Sequence, residues 1–130
     1  MAIPSLTRYI TQEDINLYAE ASRDFNPVHL DEVFARSMQF DGTIAHGMLV
    51  LAYVSQMMTD AFGEYWLTGG RLNVRFKTPA RPGDTVTVSG EVRSVEEVAG
   101  RLQAGFSVLC RNQKGETIIT GEAELRKDVA

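Results

Sequence analysis

An α+β domain with one helix lying across an antiparallel sheet is the architecture this sequence predicts. Residues Met48–Phe62 are apolar nearly all round, with Met48, Leu49, Val50, Leu51, Ala52, Tyr53, Val54, Met57, Met58, Ala61 and Phe62 leaving no polar stripe. A helix of that kind belongs inside something. From Arg71 onward the chain alternates with period two, and at 130 residues there is room for one core and one domain, residues 1–130. The simplest way to cover such a helix in so small a unit is a sheet curved around it.

The elements follow in order. Leu6–Ile10 alternates as a short strand, and Thr11 with Asp14 three residues on forms a capping-box pattern. Ile15, Tyr18 and Ala19 at helical spacing predict an amphipathic helix over Gln12–Ala21. Pro27 disfavours an α conformation at Asn26, so Asp24–Asn26 reads as a turn, and Asn26 then caps a short helix with Pro27 at its first position. Asp31–Ser37 reads as helix and Met38–Ile44 as loop, before the apolar helix. Arg71–Phe76 is a strand with Leu72, Val74 and Phe76 on one face. Pro79, Pro82 and Gly83-Asp84 make a turn, and Val86, Val88 and Val92 continue period-two burial past Gly90, a bulge or a close backbone approach. Turns at Glu97–Gly100 and Asn112–Gly115 separate a strand through Phe106, Val108 and Cys110 from a last strand, Thr117–Leu125. Three or four long antiparallel strands therefore follow the helix.

A formal net charge of −4 and a pI near 5.1 argue against a general nucleic-acid binder, whose affinity comes largely from phosphate neutralisation. One cysteine, Cys110, cannot form an internal disulfide. The first residues lack the basic start and apolar run of a secretory signal, and the longest apolar run falls far short of the ~20 residues that span a bilayer. No membrane partner and a cytoplasmic location are the expectations.

Function is concentrated in Ser22-Arg23-Asp24-Phe25-Asn26-Pro27-Val28-His29 and in Ala45-His46-Gly47-Met48, which holds the other of the two histidines. In one continuous helix Asp24 and His29 would diverge by ~140°. A turn followed by a helix start instead allows both side chains to aim at one point. Gly47 falls at the N-terminus of the apolar helix, where backbone N–H groups are unpaired and the dipole end is positive. Its amide is the candidate oxyanion donor, and its missing side chain admits a substrate.

These residues carry a resemblance. Ala21-Ser22-Arg23-Asp24-Phe25-Asn26-Pro27-Val28-His29-Leu30-Asp31 with Phe34-Ala35, then Ile44-Ala45-His46-Gly47-Met48-Leu49, and less specifically Phe76-Lys77-Thr78-Pro79 with Pro82-Gly83-Asp84, resemble the MaoC-like (R)-specific enoyl-CoA hydratases and 3-hydroxyacyl-thioester dehydratases of fatty acid metabolism. The resemblance covers essentially the whole chain. It implies the hot-dog fold, in which an antiparallel sheet wraps a long helix, and reversible addition of water to a trans-2-enoyl thioester. By resemblance Asp24 and His29 hold and activate the water, and Ser55 matches a hydroxyl position that orients the catalytic acid. The acyl-CoA tunnel is implied to lie along a homodimer interface. One letter departs from the family: Arg23 stands where glycine is usual, which alters the turn or sets a cation beside Asp24.

Each residue also has a structural alternative. Asp24 is also a turn former, His29 a satisfied half-buried histidine, and Asn26 reads as a cap. His46 divides between a second catalytic group and a loop-ordering role. Gly47 also permits tight helix–sheet contact, Ser55 is also an ordinary small helix residue, and Met48, Met57, Met58 and Cys110 read as core. Arg71, Arg75, Lys77 and Arg81 form a basic cluster, read as a solvated sheet face, within which Arg75 and Lys77 are candidates for the coenzyme A phosphates. No metal and no dissociable cofactor is expected, although two histidines and a carboxylate are a possible iron ligand set. A hot-dog acyl-CoA thioesterase and a non-catalytic acyl-CoA-binding subunit are the competing readings.

Overall fold

The computed structural model describes residues 1–128. Its elements are β1 (Ala2–Tyr9), α1 (Gln12–Ser22), α2 (Pro27–Leu30), α3 (Glu32–Ser37), α4 (Gly47–Phe62), α5 (Glu64–Gly69), β2 (Gly70–Phe76), β3 (Thr85–Val98), β4 (Arg101–Arg111) and β5 (Thr117–Asp128). The five strands form one antiparallel sheet in the order β1-β3-β4-β5-β2, which leaves β1 and β2 as its edges.

Local chemistry sets the starts. Thr11 Oγ1 accepts from Asp14 N at 3.0 Å while the Asp14 carboxylate accepts from Thr11 N at 3.2 Å, closing the capping box. Asn26 and Asp31 cap α2 and α3 with their side chains. Along β4, Phe106, Val108 and Cys110 all face the core, together with Val86 and Val88 of β3 and Ile119 and Ala123 of β5. Val50, Val54, Met57 and Met58 of α4 close that core from the other side. Gly90 marks a close approach: a Cβ there would lie 3.1 Å from Ile3 Cδ1 and 3.2 Å from Met57 Cε. The bulge opposite it is in β1, between Ile3 and Leu6.

Four expectations change. The first strand begins earlier, at Ala2, and α5 is a helix where none was predicted. Its six residues, with Trp66 alone buried, present too little periodicity to read. Helix α4 is buried along one face and not all round: Met48 is 60% exposed and Ala52 is also exposed. Phe76, expected on the buried face with Leu72 and Val74, is 52% exposed at the end of edge strand β2.

Burial pushes the Cys110 thiol up from 9.0 to about 12. Stability from this group is therefore present below pH 9 and lost as pH rises from there toward 12. The thiol should resist a disulfide reagent at pH 8 and label at once in urea. Wild type should lose melting temperature relative to Cys110→Val above pH 9; equal alkaline loss in both proteins would remove Cys110 as the cause.

Candidate active site

Helix α1 stops at Arg23, which takes a left-handed conformation at φ 65° and ψ 20°. This reverses the chain so that Asp24 starts a new direction. Ser22 Oγ accepts from Asp24 N at 3.2 Å and donates to Tyr18 O at 2.7 Å, fixing the turn to the last turn of α1. Asp24 Oδ1 accepts from Asn26 N at 3.2 Å, and Asn26 Oδ1 accepts from Val28 N at 3.1 Å. One carboxylate oxygen of Asp24 is thereby occupied, and the other, Oδ2, lies 4.0 Å from His29 Nε2. The Asp24 side chain is half-exposed and the His29 side chain is 12% exposed.

His29 Nδ1 lies 2.8 Å from the Ile44 carbonyl oxygen. A carbonyl only accepts, so Nδ1 carries a proton, and Nε2 is the nitrogen that faces Asp24. The same reasoning protonates His46 at Nε2, which donates to the Asp24 carbonyl at 3.0 Å. The His46 ring is buried and stacks on His29 with centroids 3.9 Å apart, and its Nδ1 has no hydrogen-bond partner among the described residues. His46 thus ties the aspartate turn to the start of α4 and backs the His29 ring.

Gly47 is the first residue of α4, whose start receives no side-chain cap. A Cβ there would come within 3.0 Å of Phe76 Cε1, so a larger residue would fill the space between the helix start and the Phe76 ring. A cleft of about 260 Å³ opens here, bordered by His29, Gly47, Val50, Phe76, Lys77 and Ile118. Of the two phosphate candidates, Lys77 borders this cleft, whereas Arg75 is exposed on β2 opposite Thr120. Ser55 Oγ accepts from Trp66 Nε1 at 2.9 Å, which leaves its hydroxyl proton free to donate, and no hydrogen bond joins it to Asp24 or His29 among the described residues.

Gln12 is a residue that pattern reading passes over. Its Nε2 donates to the His29 carbonyl at 2.9 Å, and its Oε1 accepts from Thr43 Oγ1 at 2.6 Å. One amide therefore joins α1, α2 and the loop that leads into α4. Nothing local marks it, because its partners lie 17 and 31 positions away.

Asp24, His29 and His46 each offer a ligand atom within 4.8 Å of the others. A metal lies in the plane of every imidazole that binds it. Ring planes stacked at 3.9 Å and 28° meet well beyond bonding distance of either nitrogen. Side-chain rearrangement would be needed before both histidines could hold one ion.

The family model for the MaoC like domain matches residues 3–107. The chain belongs to this family. It is 34% identical over 119 residues to the (R)-specific enoyl-CoA hydratase of Rhodospirillum rubrum, covering 92% of this chain and 81% of that protein. To the mitochondrial 3-hydroxyacyl-[acyl-carrier-protein] dehydratase of Arabidopsis thaliana it is 31% identical over 119 residues, 90% of this chain and 70% of that one. Among solved structures, the (R)-hydratase of Aeromonas caviae superposes with a TM-score of 0.81 at 29% identity, over 96% of this chain and 92% of the other. The α4-on-sheet arrangement is the MaoC hot-dog fold.

Arg23 explains why glycine suits that position in this MaoC-like chain. A non-glycine residue in the left-handed region costs about 1–2 kcal/mol, and the greater freedom of glycine in the unfolded chain offsets part of this. Arg23 forms no ion pair with Asp24 among the described residues. Arg23→Gly should raise the urea midpoint, adding about 0.5–1 kcal/mol of stability with an unchanged denaturant slope. A lower midpoint would show that the arginine makes a net stabilising contact.

Proposed function

We propose that this protein adds water to trans-2-enoyl-CoA to give (R)-3-hydroxyacyl-CoA, and runs the reverse dehydration, using Asp24 and His29. The observation that carries this reading is the 4.0 Å gap between Asp24 Oδ2 and His29 Nε2, with the other oxygen and the other ring nitrogen both tied to backbone. A water donating one proton to each of two acceptors needs them about 4.4 Å apart, given hydrogen bonds near 2.8 Å. Held that way, its lone pairs face outward as a nucleophile. The water oxygen bonds to C3 as one of the pair takes a proton, and the pair returns a proton to C2, so one water is added across the double bond. The Gly47 N–H, at a helix start with no side-chain cap, is suited to the charge that grows on the thioester oxygen. Neither a covalent intermediate nor a metal or dissociable cofactor enters this scheme. The stacking of His29 on His46 supports the metal-free reading.

Lys77, at the cleft wall, is the stronger candidate for a coenzyme A phosphate, with Arg75 farther out on β2. Phe25, Val33, Phe34, Met38, Met48 and Phe76 are all exposed, and β2 is an unpaired edge. A second copy of the chain pairing at β2 and covering these side chains would complete the cleft's outer wall, making the protein a homodimer. The (R) configuration, and coenzyme A as carrier, rest on likeness to named relatives.

Loss of crotonyl-CoA absorbance, with chiral analysis of the product, tests the reaction. Asp24→Asn and His29→Ala should each lower kcat by about 10²–10⁴-fold with little change in melting temperature. Full turnover in either variant removes that residue from the mechanism, and release of free thiol in place of hydration would make the protein a thioesterase. Lys77→Glu should raise KM and flatten its salt dependence, leaving kcat near wild type.

A further inference from the structure

The concave face of the sheet outruns the helix that covers it. The 14 residues of β3 extend about 46 Å at ~3.3 Å per residue, against about 24 Å for the 16 residues of α4. Beyond Phe62 the short helix α5 packs on β5 and β2, and the inward faces of β3 and β4 lie open beside it. Strict alternation from Val86, Val88 and Val92 would turn Ser94 and Glu96 inward. The register shift between Val92 and Ser94 instead brings Val95 opposite Ala104, which in turn pairs with Leu125. The bulge thus extends the apolar face.

The result is a cavity of about 770 Å³ whose wall includes Ile3, Phe62, Val95, Leu102, Ala104 and Phe106. This lies within the usual range for small-molecule sites. The charged residues on its wall are Asp60 and Lys127. Lys127 Nζ sits 4.2 Å from the centroid of the Tyr65 ring, and these two residues also border a second cleft, of about 510 Å³, with Arg71, Arg101 and Arg126. Arg101 pairs with Asp128 at 3.1 Å, whereas Arg71, Arg126 and Lys127 have no carboxylate partner among the described residues. An apolar chamber therefore adjoins a basic cleft in a protein of net charge −4.

We propose that this chamber binds a single-chain anionic amphiphile, its acyl tail among Val95, Leu102, Ala104 and Phe106 and its anionic head on Lys127, where the chamber meets the basic cleft. Charge complementarity selects this occupant: a neutral apolar surface would use the chamber and leave Lys127 and the cations of the adjoining cleft unmatched. The site is separate from the cleft at His29 and Gly47, because the two adjoin opposite ends of α4. It stands independently of the proposed reaction.

Equilibrium dialysis of the full chain against labelled dodecanoate, below its micelle concentration, tests this directly. Saturable binding of one dodecanoate per chain is expected, with dodecyltrimethylammonium not retained. Lys127→Glu should weaken binding at least tenfold and Ala104→Trp should abolish it, both leaving crotonyl-CoA hydration unchanged. A dodecanoyl-CoA arm, read as displacement of labelled dodecanoate in the Lys77→Glu variant, identifies the head: displacement tighter than by unlabelled dodecanoate supports the phosphates, weaker displacement a free carboxylate. Absence of saturable binding, indifference to head-group charge, or undiminished binding in Lys127→Glu would overturn the proposal. Concentration-dependent self-association of wild type that Ala104→Trp removes would also overturn it, making this face an interface between copies. Failure of hydration with intact dodecanoate binding would count against the proposed reaction alone.

Discussion

The hydrogen bond from His29 Nδ1 to the Ile44 carbonyl joins two stretches of chain that neither helix nor sheet would otherwise bring together. It fixes the tautomer of His29, and so decides which nitrogen faces Asp24. Ile44 N donates to Val28 O at 3.1 Å, so the contact is doubled through the backbone. Ala45 N donates to Ala80 O at 2.7 Å, which anchors the same loop to the turn before β3. The start of α4 is thereby held against α2. His46, buried between them and donating to the Asp24 carbonyl, fills the remaining space. A shift at Ile44 would move the histidine, its partner's backbone and the helix start together.

The scaffold meets this requirement with one helix and one sheet of unequal length. Where α4 begins, Gly47 and Phe76 leave a cleft; where it ends, the long strands leave a chamber. Both openings come from a packing rule: a helix can bury only the stretch of sheet that it spans. The apolar side chains of α4 that face away from the sheet, Met48 and Ala52, need a different cover. Composition alone does not separate these three surfaces, because each is apolar.

Much of the fold was legible because its signals are local. The Thr11–Asp14 box, the Asn26-Pro27 start and the Phe106–Val108–Cys110 alternation depend on residues within a few positions of each other, and all three stand as read. Helix α5 escaped because it is a single turn and a half, too short for a period. The Ser55 role is implied by resemblance alone, and the bond its oxygen accepts from Trp66, eleven positions away, is a long-range contact that no local pattern marks. Arg23 was recognised as unusual, but its left-handed φ, which makes the oddity intelligible, is a property of the folded turn.

The sequence by itself determined every element but α5, the family and the two stretches from which the site is built, since residue spacing, proline geometry and glycine placement act over short range. Only the tertiary structure decided how those stretches meet: the 4.0 Å gap between carboxylate and imidazole, the tautomers set by two carbonyls, and Gln12 holding His29 and Thr43 at once. Apart from the Asp24–His29 gap itself, such contacts join residues 15 to 31 positions apart, and their hydrogen-bond geometry follows from packing that no local pattern encodes.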